Sequence, residues 1–121
     1  MKIVSIAFAL LCLASGLVHA AEEMDADSVK NLITGNTVHA VNAEGVAQKN
    51  YFAPDGKTYR QIDGKTLEGT WHVKEDGSQC VDGMPGGCAR IVKNDDGTYD
   101  RIVGGNKVRL KWRTVVQGRD F

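Results

Sequence analysis

Asp-Gly recurs five times after residue 54, at Asp55-Gly56, Asp63-Gly64, Asp76-Gly77, Asp82-Gly83 and Asp96-Gly97. The pair favours turns, because the Asp side chain bonds the backbone just ahead of it and Gly takes a positive φ without steric cost. A chain punctuated this often has little room for long helices. What lies between the turns alternates with period two. Residues 37–41, 48–52, 58–62, 67–74, 90–93, 99–103 and 107–116 all read as strand, for a total of about seven or eight short strands. In 67–74, Leu67, Gly69, Trp71 and Val73 share one face, and Glu68, Thr70, His72 and Lys74 the other. In the last strand Val108, Leu110, Trp112 and Thr114 alternate against Lys107, Arg109, Lys111 and Arg113. Both tryptophans are expected on the inner face.

One short helix precedes the strands. Asp25 or Asp27 is its N-cap, Val29, Leu32 and Ile33 form one apolar face, and Gly35 is the left-handed C-cap. A helix this short must dock to persist, and the end of a sheet is the surface it would plug. The reading is therefore all-β with one short N-terminal helix. Short turns favour neighbour pairing, and closure of so small a sheet removes its edges. A small antiparallel up-and-down barrel, calycin- or lipocalin-like, is the first expectation, and a β-sandwich the alternative. The D-G-K-T-Y, D-G-K-T-L and D-G-T-Y echoes hold no fixed period, so they are recurring turn chemistry and not a repeat.

The N-terminus reads as a targeting segment. Lys2 gives a positive start, residues 3–13 an apolar run, and Val18 and Ala20 a small-residue cleavage site. Cleavage after Ala20 leaves residues 21–121 as one domain. The run is too short for a membrane span, which needs about 20 apolar residues. Cys12 lies inside it behind Leu10 and Leu11, not behind the small residues a lipid anchor requires. The expected location is periplasmic or secreted, with no stable membrane anchor after cleavage. The whole chain carries 15 basic and 15 acidic residues. Such a balance gives no electrostatic reason to seek nucleic acid.

Cys80 and Cys88 carry the most specific chemical signal. In an oxidising compartment two cysteines in a small domain pair. Redox motifs hold the pair closer, as C-x-x-C, and zinc sites need four ligands, so the expectation is a structural disulfide with no metal. His39 and His72 sit on separate strands with no placed carboxylate. The 94–100 segment has adjacent acids and lacks the distant Glu of a calcium loop, so it reads as a hairpin turn. Ser28 and Ser78 have no nucleophile-elbow context, and no glycine-rich phosphate loop opens a helix. The reading is not an enzyme and without cofactor. The basic stripe Lys107, Arg109, Lys111 and Arg113 is read as a solvated outer face.

The order of a helix, then L-I-T-G-N-T-V, Y-F-A-P-D-G, G-T-W-H-V, a Cys pair and a final strand resembles a proteobacterial exported family, domain of unknown function 995. The resemblance implies a calycin-like β-fold outside the cytoplasm and no catalytic residues. Gly69-Thr70-Trp71 also resembles the lipocalin G-x-W, but it lies on a middle strand, so lipocalin ligand binding is not carried over. The expected role is a non-catalytic binding or interaction module for a small apolar ligand or a protein. The alternative is a secreted hydrolase inhibitor of the lysozyme-inhibitor type, presenting the loop Asp82, Gly83, Met84, Pro85 and Gly86 between the cysteines. A loop over 82–87 that protrudes and is rigid favours inhibition; a loop that packs flat, with an apolar cavity opening in the barrel, favours a small ligand.

Overall fold

A computed structural model describes residues 21–121. The targeting segment and Cys12 lie outside the described residues. The elements are β1 (Glu22–Glu23), α1 (Ala26–Ile33), β2 (Asn36–Asn42), β3 (Ala47–Phe52), β4 (Lys57–Ile62), β5 (Lys65–Val73), β6 (Gln79–Asp82), β7 (Cys88–Lys93), β8 (Tyr99–Val103) and β9 (Lys107–Gln117).

Strands β2 to β9 pair in sequence order, and β9 returns to pair with β2. The β7–β8 pairing completes the ring. The result is a closed, eight-stranded antiparallel up-and-down barrel, and the sandwich alternative falls away. β6 is too short to cover β7, pairing only through Gln79↔Ala89 and Cys80↔Cys88. β1 fills the rest of that edge through Glu22↔Lys93 and Glu23↔Val92.

Turn chemistry explains the ordered meander. Four hairpin turns share one pattern, in which the first residue's N–H donates to the carbonyl four residues on and the Gly N–H donates back to it. They span residues 42–46, 53–57, 74–78 and 94–98. Asp55, Asp76 and Asp96 each accept from the backbone N–H two residues ahead, closing the turn from within. Asp63 and Gly64 differ: both have positive φ, +49° and +74°, as a two-residue type I′ hairpin requires. The Asp-Gly echoes are thus recurring turns. The 94–98 turn is a hairpin, and among the described residues no group of acidic, His and Cys side chains has metal-site geometry.

Up-and-down pairing sorts the connections to two ends. The 53–57, 74–78 and 94–98 turns lie at one end, with α1. The 42–46 and 63–64 turns, the 83–87 loop and the 104–106 turn lie at the other. α1 is capped by Asp25, whose carboxylate accepts from Ser28 N at 2.9 Å. Val29 and Ile33 are fully buried and join Val38, Phe52, Ile91 and Trp112 in the core. The helix closes its end of the barrel, as its apolar face requires, and Gly35 at φ +76° donates to Phe52 O as the chain enters β2. Trp71 is half-buried, packs edge-on against Phe52 at 5.5 Å and donates its Nε1–H to Ala53 O.

β5 keeps the expected faces, but β9 does not. Leu110 pairs with Arg101 and Val108 with Ile102, which leaves Arg109 as an extra residue. Trp112 pairs with Ala40 and Thr114 with His39, which leaves Arg113 extra. Each bulge resets the alternation. Val108 is therefore 41 % exposed, Thr114 is exposed, and Val115 packs against the core. The four-residue inner face and the unbroken basic stripe expected for this strand are both corrected. Lys111 faces Asp100, with its Nζ 3.1 Å from Oδ1 in an ion pair too bent for a hydrogen bond, and Arg109 turns to the open end.

Candidate functional site

A cavity of about 440 Å³ opens at the end opposite α1. Its floor is apolar, made by Phe52, Leu110 and Trp112, and Ile62, Leu67 and Val103 line the wall. Set into this wall is a polar belt. Alternation aims Gln48, Asn50 and Phe52 of β3 to one side, and Asn50 lies across from Arg60 of β4. On β8, Tyr99, Arg101 and Val103 share parity, and on β6 Gln79 and Val81 do. Arg60, Asn50, Gln79 and Arg101 consequently meet inside the barrel.

Arg101 is 6 % exposed. Its Nε donates to Gln79 Oε1 at 2.9 Å, Nη1 to Gly86 O at 3.1 Å, and Nη2 to Gln79 O at 3.0 Å and Gly87 O at 2.7 Å. Arg60 is half-buried, donating Nε to Asn50 Oδ1 at 2.8 Å and Nη1 to Pro85 O at 2.9 Å. All of these acceptors are neutral. Among the described residues neither arginine pairs with a carboxylate. Glu44, the one acid on the cavity wall, is exposed on the 42–46 turn. Burial, and after it the neighbouring Arg60 charge, push Arg101 down to about 10. That lowering places on the order of 3 kcal/mol against the ionised form in the fold. Burial lowers Arg60 as well.

The loop between the cysteines belongs to this site. Cys80 and Cys88 stand directly opposite on β6 and β7 and are disulfide-bonded. The loop they bracket folds back over the cavity, and Val81 N donates to Gly87 O. The carbonyls of Pro85, Gly86 and Gly87 turn inward to the two arginines, and Pro85 and Gly86 line the cavity itself. Met84 packs against the core cluster. Gly69 makes room: a Cβ there would stand 2.3 Å from Asp82 O and 3.3 Å from Met84 Cε. Asp82 and Gly83 are exposed, and the Asp82 carboxylate lies 3.7 Å from His72 Nδ1.

The two histidines are not part of the cavity site. His39 Nε2 lies 2.6 Å from Asp120 Oδ2 on the outer wall, and His72 is exposed on β5. The last residues are pinned outside too, with Arg119 4.4 Å over the Tyr59 ring and Thr37 Oγ1 donating to Gly118 O.

The cysteine spacing points to the loop, but no motif points to Asn50, Arg60, Gln79 or Arg101. A signal was there. Arg101 shares parity with Tyr99 and Val103, and Arg60 with Thr58 and Ile62, so a charge sits on each apolar-side pattern. Comparison with protein-family models finds no match, and comparison with curated proteins finds no relative.

Proposed function

We propose that this protein is a non-catalytic binding module, exported to the periplasm or secreted, whose barrel cavity holds a small ligand beneath the Cys80–Cys88 loop. The observation that carries this reading is the loop folded over the cavity mouth by Arg60 and Arg101. A cavity of about 440 Å³ falls in the range of small-molecule sites, roughly 300–1,000 Å³, and its lining is divided about evenly between apolar side chains and polar ones, three of them arginines. The disulfide fits an oxidising compartment, and among the described residues no helix is long and apolar enough to cross a membrane. The inhibitor alternative needs a loop standing free of the barrel, and here three successive carbonyls are tied to the barrel's own arginines.

The test is titration with the neutral fluorophore N-phenyl-1-naphthylamine. The expected result is saturable 1:1 binding that disappears in Leu67→Trp, which fills the cavity. Non-saturable binding, or binding indifferent to Leu67→Trp, overturns the reading.

A further inference from the structure

We infer that the cavity selects amphipathic anions: a carboxylate head held by Arg60, Arg101 and Asn50, and an apolar body packed on the surrounding wall. This rests on the binding reading above and deepens it.

Two features carry it. The first is uncompensated charge. Both guanidinium groups flank Gly86, where a Cβ would lie 3.5 Å from Arg60 Nη2 and 3.9 Å from Arg101 Nη1. Carbonyl oxygens satisfy hydrogen bonds but supply no net charge, so two cations share one wall with no carboxylate paired to either among the described residues; Arg109 adds a third positive charge to the lining, against the single exposed acid Glu44. An anion entering there relieves their mutual repulsion and gains a charge-assisted contact in a poorly screened place. Arg60 keeps Nη2 without an acceptor among the described residues.

The second feature is independent of charge. Asn50 is 3 % exposed, and its Nδ2 has no hydrogen-bond partner among the described residues. The amide orientation is dictated by chemistry: Oδ1 must face the Arg60 Nε–H, so the NH₂ group points elsewhere. A buried, unpartnered donor is costly and calls for an explanation. Asn50 lies on the wall of this cavity beside Arg60, and a small shift of its side chain would offer the amide as a further donor to an acceptor-only ligand group. An ionised carboxylate is such a group, with two oxygens and no proton to donate. The apolar side chains of the lining favour an amphipathic anion over a wholly hydrophilic one, because Phe52, Leu110 and Trp112 would otherwise face a solvated ligand.

The test compares decanoate with 1-decanol, the same chain without the charge, as displacers of bound N-phenyl-1-naphthylamine. Decanoate is expected to bind at least 10-fold more tightly than decanol. Asn50→Asp is the decisive variant. It is nearly isosteric, keeps an acceptor for Arg60 Nε, and supplies the missing negative charge from within, so it should bring the decanoate-to-decanol ratio close to one. Arg60→Met should narrow the ratio in the same direction, and circular dichroism establishes that both variants are folded. If decanol matches decanoate, if decanoate fails to displace the fluorophore, or if folded Asn50→Asp keeps the native ratio, the anion assignment is overturned and the cavity reading stands. If the fluorophore and both displacers fail to bind the native protein, the cavity reading itself fails and takes the assignment with it.

Discussion

Gly69 and Asn50 show how much single side chains decide here. Gly69 sits where the loop crosses β5, and the space beside its Cα is taken by the Asp82 carbonyl. Any Cβ at that position must push β6 and the loop away from the barrel. Gly69→Ala is expected to lower stability by about 1–3 kcal/mol through overpacking, read as a lower urea midpoint. An unchanged midpoint would mean that the loop does not rest on β5. Asn50 is the opposite case, an inward polar side chain half satisfied by Arg60. Its neighbours on the same face of β3 are Gln48 and Phe52, so nothing in the local pattern marks it as special. Arg101 is legible only as an oddity of parity, since what its long side chain meets lies 14 to 22 residues away in sequence.

Among the elements, the 83–87 loop and β9 are the two that most depend on their surroundings. The loop is short, rich in glycine and closed at both ends by a cross-strand disulfide. Removing the bridge as Cys80→Ala/Cys88→Ala is expected to cost roughly 2–3 kcal/mol on the chain-entropy account. Comparison of urea unfolding of native and double-variant protein checks the magnitude. Thiol labelling of the processed native protein should find no free cysteine until reductant is added, and two reactive thiols without reductant would refute the bridge. β9 is the longest strand and pairs on both sides, with β2 and β8. Its two bulges fall at Arg109 and Arg113, one on each pairing. Strict alternation would carry Val108 inward and leave Val115 outside; the bulges reverse both. Alternation along β5 needed no such correction, because its pairings with β4 and β6 run without a register shift.

At the scale of the whole molecule the barrel has two chemically different ends. The closed end holds α1 and three turns, and aspartates held below their ordinary values cap the helix and close two of those turns. The backbone N–H of Ser28 lowers Asp25, that of Ser78 lowers Asp76, and the hydroxyl of Thr98 lowers Asp96. A carboxyl lowered in the folded state contributes stability that is fully present above its unfolded value, 3.8 here, and lost as pH falls through the folded value. The protein should therefore lose stability below about pH 4. The triple variant Asp25→Asn/Asp76→Asn/Asp96→Asn keeps an acceptor at each site and should flatten that acid limb in urea midpoints measured from pH 5 to pH 2. An equally steep limb would mean that other carboxylates govern it. The open end holds the cavity, the uncompensated arginines and the disulfide-closed loop, so the end built for stability and the end suited to a ligand are separated by the Phe52–Trp112 floor.

The residues alone determined the strand segments, the turns, the capped helix, the cysteine pair and the meander, because each rests on chemistry within a few neighbours: an Asp oxygen reaching two residues ahead, a Gly at positive φ, a period-two face. An up-and-down barrel followed from those local rules together with the need to bury one face and leave no edge. Only the tertiary structure decided the rest. Pairing of β9 with β8 set the bulge at Arg109 and its closure onto β2 the bulge at Arg113, and with them which side chains face inward on the last strand. Closure also brought Arg60 and Arg101 together with Asn50 under the loop carbonyls. Alternation gives a side chain its parity, but what a long polar side chain meets across a barrel depends on strands far away in sequence, and that is where the candidate site was made.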